Sequence, residues 1–243
     1  MKPEVNKDGV IMTLNGMGHC IPELTEFSQA FVNFSKELKR PVLDIGAAYG
    51  PATIAALKQN VQVVANDIDP RHLAHLQEAV EEPYKKNLTL KLGRVPNDVS
   101  FEANYFGAIH VSQVLHFLQG DEIEETISLL YQWLVPQGKI FIIVGTPYMS
   151  LLKEFIPIYE NRKKAGDLWP GQIMDMAHYC SNPEFLQQTP RFMNFLDPDI
   201  LTRIATKAGF IIEEARFFKR ENLPPHIALD GRENVGLIGR KPA

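Results

Sequence analysis

The stretch Val42-Leu43-Asp44-Ile45-Gly46-Ala47-Ala48-Tyr49-Gly50 decides the reading of this chain. Val42 to Ile45 is a short β-branched run that reads as a strand. Two glycines four apart then lead into Ala52-Thr53-Ile54-Ala55-Ala56-Leu57-Lys58, which reads as a helix. Glycine at such a turn permits backbone angles closed to other residues and lets a ligand approach the main chain. A plain tight turn between strand and helix is the simpler alternative. Asp44, two residues before the first glycine, tells against it and also against a phosphate site, because an anion there suits a cationic ligand. The Gly-Lys-Ser/Thr ending of a P-loop is missing, and so is the Gly-x-Gly-x-x-Gly of a dinucleotide turn. A nicotinamide oxidoreductase is therefore the weaker enzyme hypothesis.

Working outward, Val61-Gln62-Val63-Val64-Ala65 is a second strand and ends on Asn66-Asp67. An acidic residue about twenty positions past the glycine loop is placed to accept the hydroxyls of a ribose. Asp69 competes for that role. Pro70 follows it directly, and an aspartate before a proline is a helix N-cap with proline at the first helical position. Leu73, Leu76 and Val80 continue that helix at helical spacing, with His72 and His75 expected on its solvent side. Leu88 to Leu92 and Ala108 to Val111 are further strands. Glu122 to Leu134 is an amphipathic helix, Pro136-Gln137-Gly138 a turn, and Lys139 to Val144 a fifth parallel strand. Strands alternating with helices predict an α/β fold, a doubly wound sheet with helices on both faces. Asp199 to Ala208 is a helix closed by Gly209. Phe210 to Phe217 and Glu233 to Arg240 are strands with no long helix between them, so they pair antiparallel. The expected sheet is thus seven-stranded and mostly parallel, with an antiparallel last strand. Ligands of such sheets sit beyond the carboxyl ends of the strands.

These motifs, taken in order, resemble the class I S-adenosylmethionine-dependent methyltransferases. Leu43-Asp44-Ile45-Gly46-Ala47-Ala48-Tyr49-Gly50 is similar to their leading Leu-Asp-x-Gly-x-Gly-x-Gly, and Asn66-Asp67-Ile68-Asp69-Pro70 to their second motif. Val114-Leu115-His116-Phe117-Leu118 resembles their Val-Leu-His-His-Leu loop, Leu134-Val135-Pro136-Gln137-Gly138 their Leu-x-Pro-Gly-Gly turn, and Ala208-Gly209-Phe210 their Ala-Gly-Phe. The resemblance covers about 41–145 and 198–240. It implies S-adenosyl-L-methionine as cofactor, with Asp44 near its amino group and the backbone of Gly46, Ala47, Ala48 and Gly50 around the methionine portion. It implies Asp67 on the ribose, Ile68 on an adenine face, and Val111, Ser112 and Gln113 offering carbonyls to the amino group. There are departures. Ala48 replaces the middle glycine, Gly93-Arg94 stands where the family often has Gly-Asp, and Gly107 stands where it often has Asp. Arg94 then lies where the adenine edge is read, and Asp98 or backbone groups become the candidates for reading it.

The implied layout is one methyltransferase domain over 1–243: an N-terminal lid at 1–40, a cofactor-binding core at 41–145, a substrate or lid insertion at 146–197, and C-terminal strands at 198–243. The insertion is rich in aromatics, which form an apolar acceptor pocket, additional core or a dimer contact. Methyl transfer needs a base only when the acceptor must lose a proton, and histidine suits that task near neutral pH. Of seven histidines, His116 is the candidate catalytic residue; His19 and His178 are candidates in the lids, and His110, inside a strand, reads as a core or edge residue.

Net charge is −4, from 25 basic and 29 acidic residues, without the basic footprint of a nucleic-acid binder. The Asn-Pro-Pro-Tyr/Phe signature of amino-directed nucleic-acid methyltransferases is missing after the fourth strand. The two cysteines, Cys20 and Cys180, make no Cys-x-x-Cys pair, so no metal site is expected. Met1 to Asp8 has no apolar signal region, and no apolar run reaches a membrane span. The expectation is a cytoplasmic monomer or homodimer that methylates a small molecule. A protein acceptor, or a methyltransferase-like binding module without turnover, is the alternative.

Overall fold

The computed structural model describes residues 10–243 apart from 181, 188, 222 and 226. The reading of Met1 to Asp8 lies outside the described residues. The chain enters through a ribbon of β1 (Ile11–Met12) and β2 (His19–Cys20), then α1 (Glu26–Ser35). Four strands follow, three of them with helices: β3 (Val42–Ile45) and α2 (Pro51–Leu57), β4 (Val63–Asp67) with α3 (Pro70–Ala79) and the short α4 (Glu82–Lys85), β5 (Leu88–Leu92), and β6 (Phe106–Ser112) with α5 (Gly120–Trp133). β7 (Leu134–Gly145) completes the parallel strands. After it come α6 (Ile156–Lys164), α7 (Pro183–Gln187) and a small ribbon of β8 (Gln172–Ile173) and β9 (Met193–Asn194). The chain closes with α8 (Pro198–Ala208), β10 (Ile211–Phe218) and β11 (Asn234–Arg240).

The large sheet has seven strands in the order β10-β11-β7-β6-β3-β4-β5. β11 is antiparallel to both neighbours and all other pairings are parallel, the architecture expected from the sequence. Strand order runs outward from β3 to β5 and then returns to β6 on the other side of β3. The crevice of a doubly wound sheet opens at that reversal. β6 lies inside the sheet and is buried along nearly its whole length, as a strand covered on both faces must be.

Each face has its own core. Ile123, Ile127 and Leu130 of α5 and Leu201 and Ile204 of α8 pack on one side. Phe31 and Val32 of α1, Ala56 and Leu57 of α2 and Leu76 of α3 pack on the other. Each fully buried side chain of this size contributes roughly 1.5–3 kcal/mol. Helix ends follow their sequence signals. Asp69 caps α3 by accepting from the Arg71 N–H, and Gly209 closes α8 in the left-handed conformation at φ 106°.

Three readings become more definite in the structure. Pro136-Gln137-Gly138 does not precede the strand as a separate turn; it is an irregularity inside β7, where pairing to β6 jumps from Phe106↔Leu134 to Ala108↔Lys139. In the described part of segment 1–40, α1 belongs to the helical layer, and the stretch between Thr13 and Thr25 lines the cavity at the strand ends. Most aromatics of the insertion build a satellite core: Tyr148, Phe155 and Tyr159 are buried with Ile173, Met176 and Phe195. Cys20 and Cys180 are both free thiols. Among the described residues no helix is long and apolar enough to cross a membrane.

Candidate cofactor and acceptor site

The turn after β3 uses three left-handed residues: Gly46 at φ 69°, Ala48 at φ 47° and Gly50 at φ 76°. Two of them have no room for a side chain. A Cβ on Gly46 would stand 2.2 Å from Cγ2 of Val114, and one on Gly50 would stand 2.2 Å from Cδ1 of Leu76. The tight path aims backbone N–H groups across the strand ends. The Ala47 N–H reaches the Asn66 carbonyl at 2.9 Å, and the Ala48 N–H reaches Oδ2 of Asp67 at 2.8 Å.

Asp67, at the end of β4, is buried and densely bonded. Its Oδ1 accepts from the Asp69 N–H at 2.8 Å and lies 3.1 Å from Nδ1 of His72. The Leu14 N–H donates to Nε2 of His72 at 3.0 Å, so in the neutral ring Nδ1 carries the proton and donates to Asp67. A carboxylate offers about four lone-pair positions. Three are taken, and one remains on Oδ2. His72 is therefore not on the solvent side of α3; it is buried, and the segment around Leu14 folds over it. His75 is half-buried with its ring edge-on to Tyr49.

Beneath the loop runs a buried polar chain. Asp44 on β3 and His110 on β6 are register partners, and Nδ1 of His110 lies 2.7 Å from Oδ1 of Asp44. The Thr53 hydroxyl donates to Oδ2 of Asp44 at 2.6 Å. On the far side, Nε2 of His110 lies 3.0 Å from the Ser28 hydroxyl, which lies 2.9 Å from that of Thr25. Of the two readings of His110, core or edge, the structure has it buried in the core, and it also lines the cavity described next.

That cavity, about 280 Å³ in volume, opens at the carboxyl ends of β3, β4 and β6. Asp44, Gly46, Ala47, Ala48, Asp67, Ile68, Arg94, Ser112, Gln113 and His116 all line it. Gly50 and Val111 do not. Gly50 is the left-handed cap of α2, and Val111 is fully buried in the core of the α5 face. Ile68 is 48% exposed, an apolar side chain left open at the mouth. The Gln113 side-chain amide donates to Oδ1 of Asn234 at 2.9 Å, which joins β11 to the site.

Arg94 lines the rim, but its guanidinium is engaged in a two-pronged pair with Glu122, at 2.7 and 3.0 Å. The same Glu122 closes the capping box of α5 on the Gln119 N–H. Asp98 does not line the cavity; its carboxylate accepts the Arg94 N–H at 3.1 Å and shapes the turn. A Cβ on Gly107 would press on Leu38 at 2.8 Å, which gives that residue a packing reason.

His116 is buried on the cavity wall, and among the described residues its Nδ1 is without a hydrogen-bond partner. Burial, followed by the charge of His19, pushes its pKa down to about 3, so the ring is neutral near pH 7. His19 lines the same cavity, whereas His178 is exposed and stands outside it. Of the insertion's aromatics, Phe185 and Phe195 reach the wall. Sequence reasoning missed His72, Asn234 and Arg220 as lining residues. Each is brought in by contacts distant along the chain, which no local pattern shows.

Residues 42–138 match the family model described as a methyltransferase domain. Comparison with curated proteins finds no match. Among solved structures, the chain is similar to an S-adenosylmethionine-dependent methyltransferase from Methanosarcina mazei, with TM-score 0.64 and 15% identity, covering 90% of this chain and 99% of that one. It is similar to a putative S-adenosylmethionine-dependent methyltransferase from Listeria monocytogenes, with TM-score 0.60 and 13% identity, over 89% and 99% of the two chains. A third is the glycopeptide N-methyltransferase MtfA in complex with S-adenosyl-L-methionine, with TM-score 0.58 and 14% identity, over 88% and 92%. Residues 42–138 thus match a methyltransferase domain, and the chain as a whole has the fold of these S-adenosylmethionine-dependent methyltransferases.

Proposed function

We propose that this protein transfers a methyl group from S-adenosyl-L-methionine to a small-molecule acceptor by in-line displacement. The observation that carries this is the convergence of the left-handed Gly46–Gly50 turn and the Asp67 carboxylate on one cavity at the strand-order reversal. The residues present fit that cofactor. The remaining lone pair of Asp67 takes a ribose hydroxyl, Ile68 offers an apolar face to adenine, and the turn leaves no side chain at Gly46 between backbone and ligand. Ser112 and Gln113 stand at the end of β6, where their carbonyls suit an ammonium group. When bound, the cofactor supplies an electrophilic methyl group on a positively charged sulfur.

What the protein's own residues then do is position. Holding an acceptor in line converts an encounter into an oriented reaction, which lowers the barrier without a covalent intermediate. The cavity wall of Phe117, Met149, Met193 and Phe195 excludes water around the acceptor. His116 is the proposed base where the acceptor carries a proton. Its unpartnered Nδ1 is ready to accept, but a ring held this far below neutrality is a weak base. Positioning therefore carries most of the rate. Calorimetric titration with S-adenosylmethionine, S-adenosylhomocysteine and NAD tests the cofactor. The first two should bind and the third should not; tight NAD binding or no binding of S-adenosylhomocysteine overturns the reading. A methyl-label transfer assay on small-molecule and protein fractions then tests the acceptor.

A further inference from the structure

Among the described residues, most charged groups at the cavity are held by a charged or histidine partner, and the cation Arg220 is not. Arg94 is paired with Glu122, Asp44 with His110, and Asp67 with His72 and two backbone N–H groups. Arg220 differs. It follows β10 by two residues, and β10 runs parallel to β3 and β6, so Arg220 emerges at the same edge as the glycine loop. In strand order it lies beyond β7, on the opposite side from Asp67. One nitrogen of its guanidinium, Nη2, donates to the carbonyls of Ile21 at 3.1 Å and Glu23 at 3.0 Å.

Those two carbonyls are neutral acceptors. Among the described residues no carboxylate makes an ion pair with Arg220, and the hydrogen bonds of its guanidinium run from Nη2 alone. The Glu23 carboxylate is near enough to favour the charge, but it is exposed and forms no bond to it. Burial pushes the pKa of Arg220 downward, the mark of a cation that has given up water without a full counter-charge. Arginine remains charged even so. The neighbouring Cys20 thiol is pushed up to about 11, chiefly by burial, so it supplies no anion near neutral pH. A half-buried guanidinium with a free edge costs stability unless something anionic completes it. The planar fork fits a carboxylate or phosphate with two parallel hydrogen bonds.

Around Arg220 the wall is apolar. Ile21, Phe117, Met149, Met193, Leu223 and Ile227 line this part of the cavity. An inorganic anion would leave that surface wet. We propose that the acceptor is an amphipathic anion, a small molecule with an apolar body and one carboxylate or phosphate group seated on the guanidinium of Arg220. This rests on the methyltransferase reading above and names the acceptor class for the same cavity. Arg220 thereby becomes a residue that selects the acceptor by charge, while the apolar wall selects its body.

The test is calorimetric titration of the whole protein, with and without S-adenosylhomocysteine, using octanoate, octyl phosphate and octanol. The three probes share one chain and differ in the head group. At least one of the two anions should bind ten-fold or more tighter than octanol, and the tighter of the two identifies the head group. Arg220→Gln should erase that preference, leaving octanol affinity unchanged, and Arg220→Lys should keep part of it. Equal binding of all three probes to the wild type overturns the proposal without any variant. So does an Arg220→Gln protein that keeps the anion preference, or one that loses octanol and octanoate together, which would mark Arg220 as a clamp on Ile21 and Glu23. Failure of the methyltransferase reading is seen separately, as no binding of S-adenosylhomocysteine to the wild type.

Discussion

Asp67→Asn separates the carboxylate's two duties, holding the loop and holding a ribose. The variant keeps the shape and one acceptor oxygen. Three of the four lone-pair positions of Asp67 serve Ala48, Asp69 and His72, so a ribose gains one direct hydrogen bond there. A hydrogen bond to a charged group is worth about 1.5–3 kcal/mol. Its loss should weaken S-adenosylhomocysteine binding by roughly 10- to 150-fold. The new amide must also point its NH₂ group at a backbone N–H, either that of Ala48 or that of Asp69. Leaving one such group unsatisfied costs about 1–3 kcal/mol, and each kcal/mol lowers Tm by about 2–4 °C in a chain of this size. Calorimetric titration and thermal melting should therefore both move. Asp69→Ala is the matched control, since it removes a helix cap worth about 1 kcal/mol without touching the ribose position. A folded Asp67→Asn protein that binds S-adenosylhomocysteine as the wild type does refutes the assignment.

Gly46→Ala should abolish measurable cofactor binding and lower Tm, because its Cβ would overlap Cγ2 of Val114 in a left-handed backbone; an unchanged titration would show that the turn can open. His116 is pushed below its ordinary value of 6.5, so the unfolded chain takes up a proton first as pH falls. Stability is whole above pH 6.5 and declines toward pH 3, and melts of His116→Leu should lose that part of the decline. Asp69 is held down to about 2, first by the Arg71 side-chain hydrogen bond. Its contribution stands in full above pH 3.8 and disappears as pH falls through 2, where wild type and Asp69→Ala should converge in Tm. Leu14 is bonded to His72 and Arg71, and Met12 to Tyr49, so bound S-adenosylhomocysteine should slow proteolysis in the Asn15–Gly18 turn. Identical digestion with and without it would exclude coupling.

The sheet and most of its cofactor edge are legible in the sequence because they are local. Gly46, Asp67 and Asp69 declare themselves within a few residues of their neighbours, through turn chemistry and capping. His72 was misplaced for the opposite reason. The Leu73–Leu76–Val80 stripe correctly marks the core face of α3, but a stripe reports only the face turned to the sheet. His72 is buried by Leu14, 58 residues earlier in the chain, and only tertiary structure brings that segment over the helix. His110 could have been paired from sequence once β3 and β6 were known to be neighbours, since a polar ring inside a doubly covered strand must find a partner. The insertion's aromatics carry no periodicity that tells pocket from core, and the structure assigns most of them to the core. Arg220 sits in a loop, where the run Lys219-Arg220 carries no local signature that tells a cavity-facing cation from a solvated one.

The Thr25–Ser28–His110–Asp44–Thr53 chain makes α1 and the glycine loop one mechanical unit. Ser28 and Thr25 stand on the first turn and cap of a helix that precedes the matched family segment altogether. A truncation that spares residue 25 onward keeps the floor of the cavity. One that cuts into α1 strips the partner from a buried histidine and, through it, loosens the carboxylate beneath the loop. Amide exchange at β3, β6 and α1 should therefore slow and quicken together, so the minimal folding unit of this protein begins well before its recognisable motif.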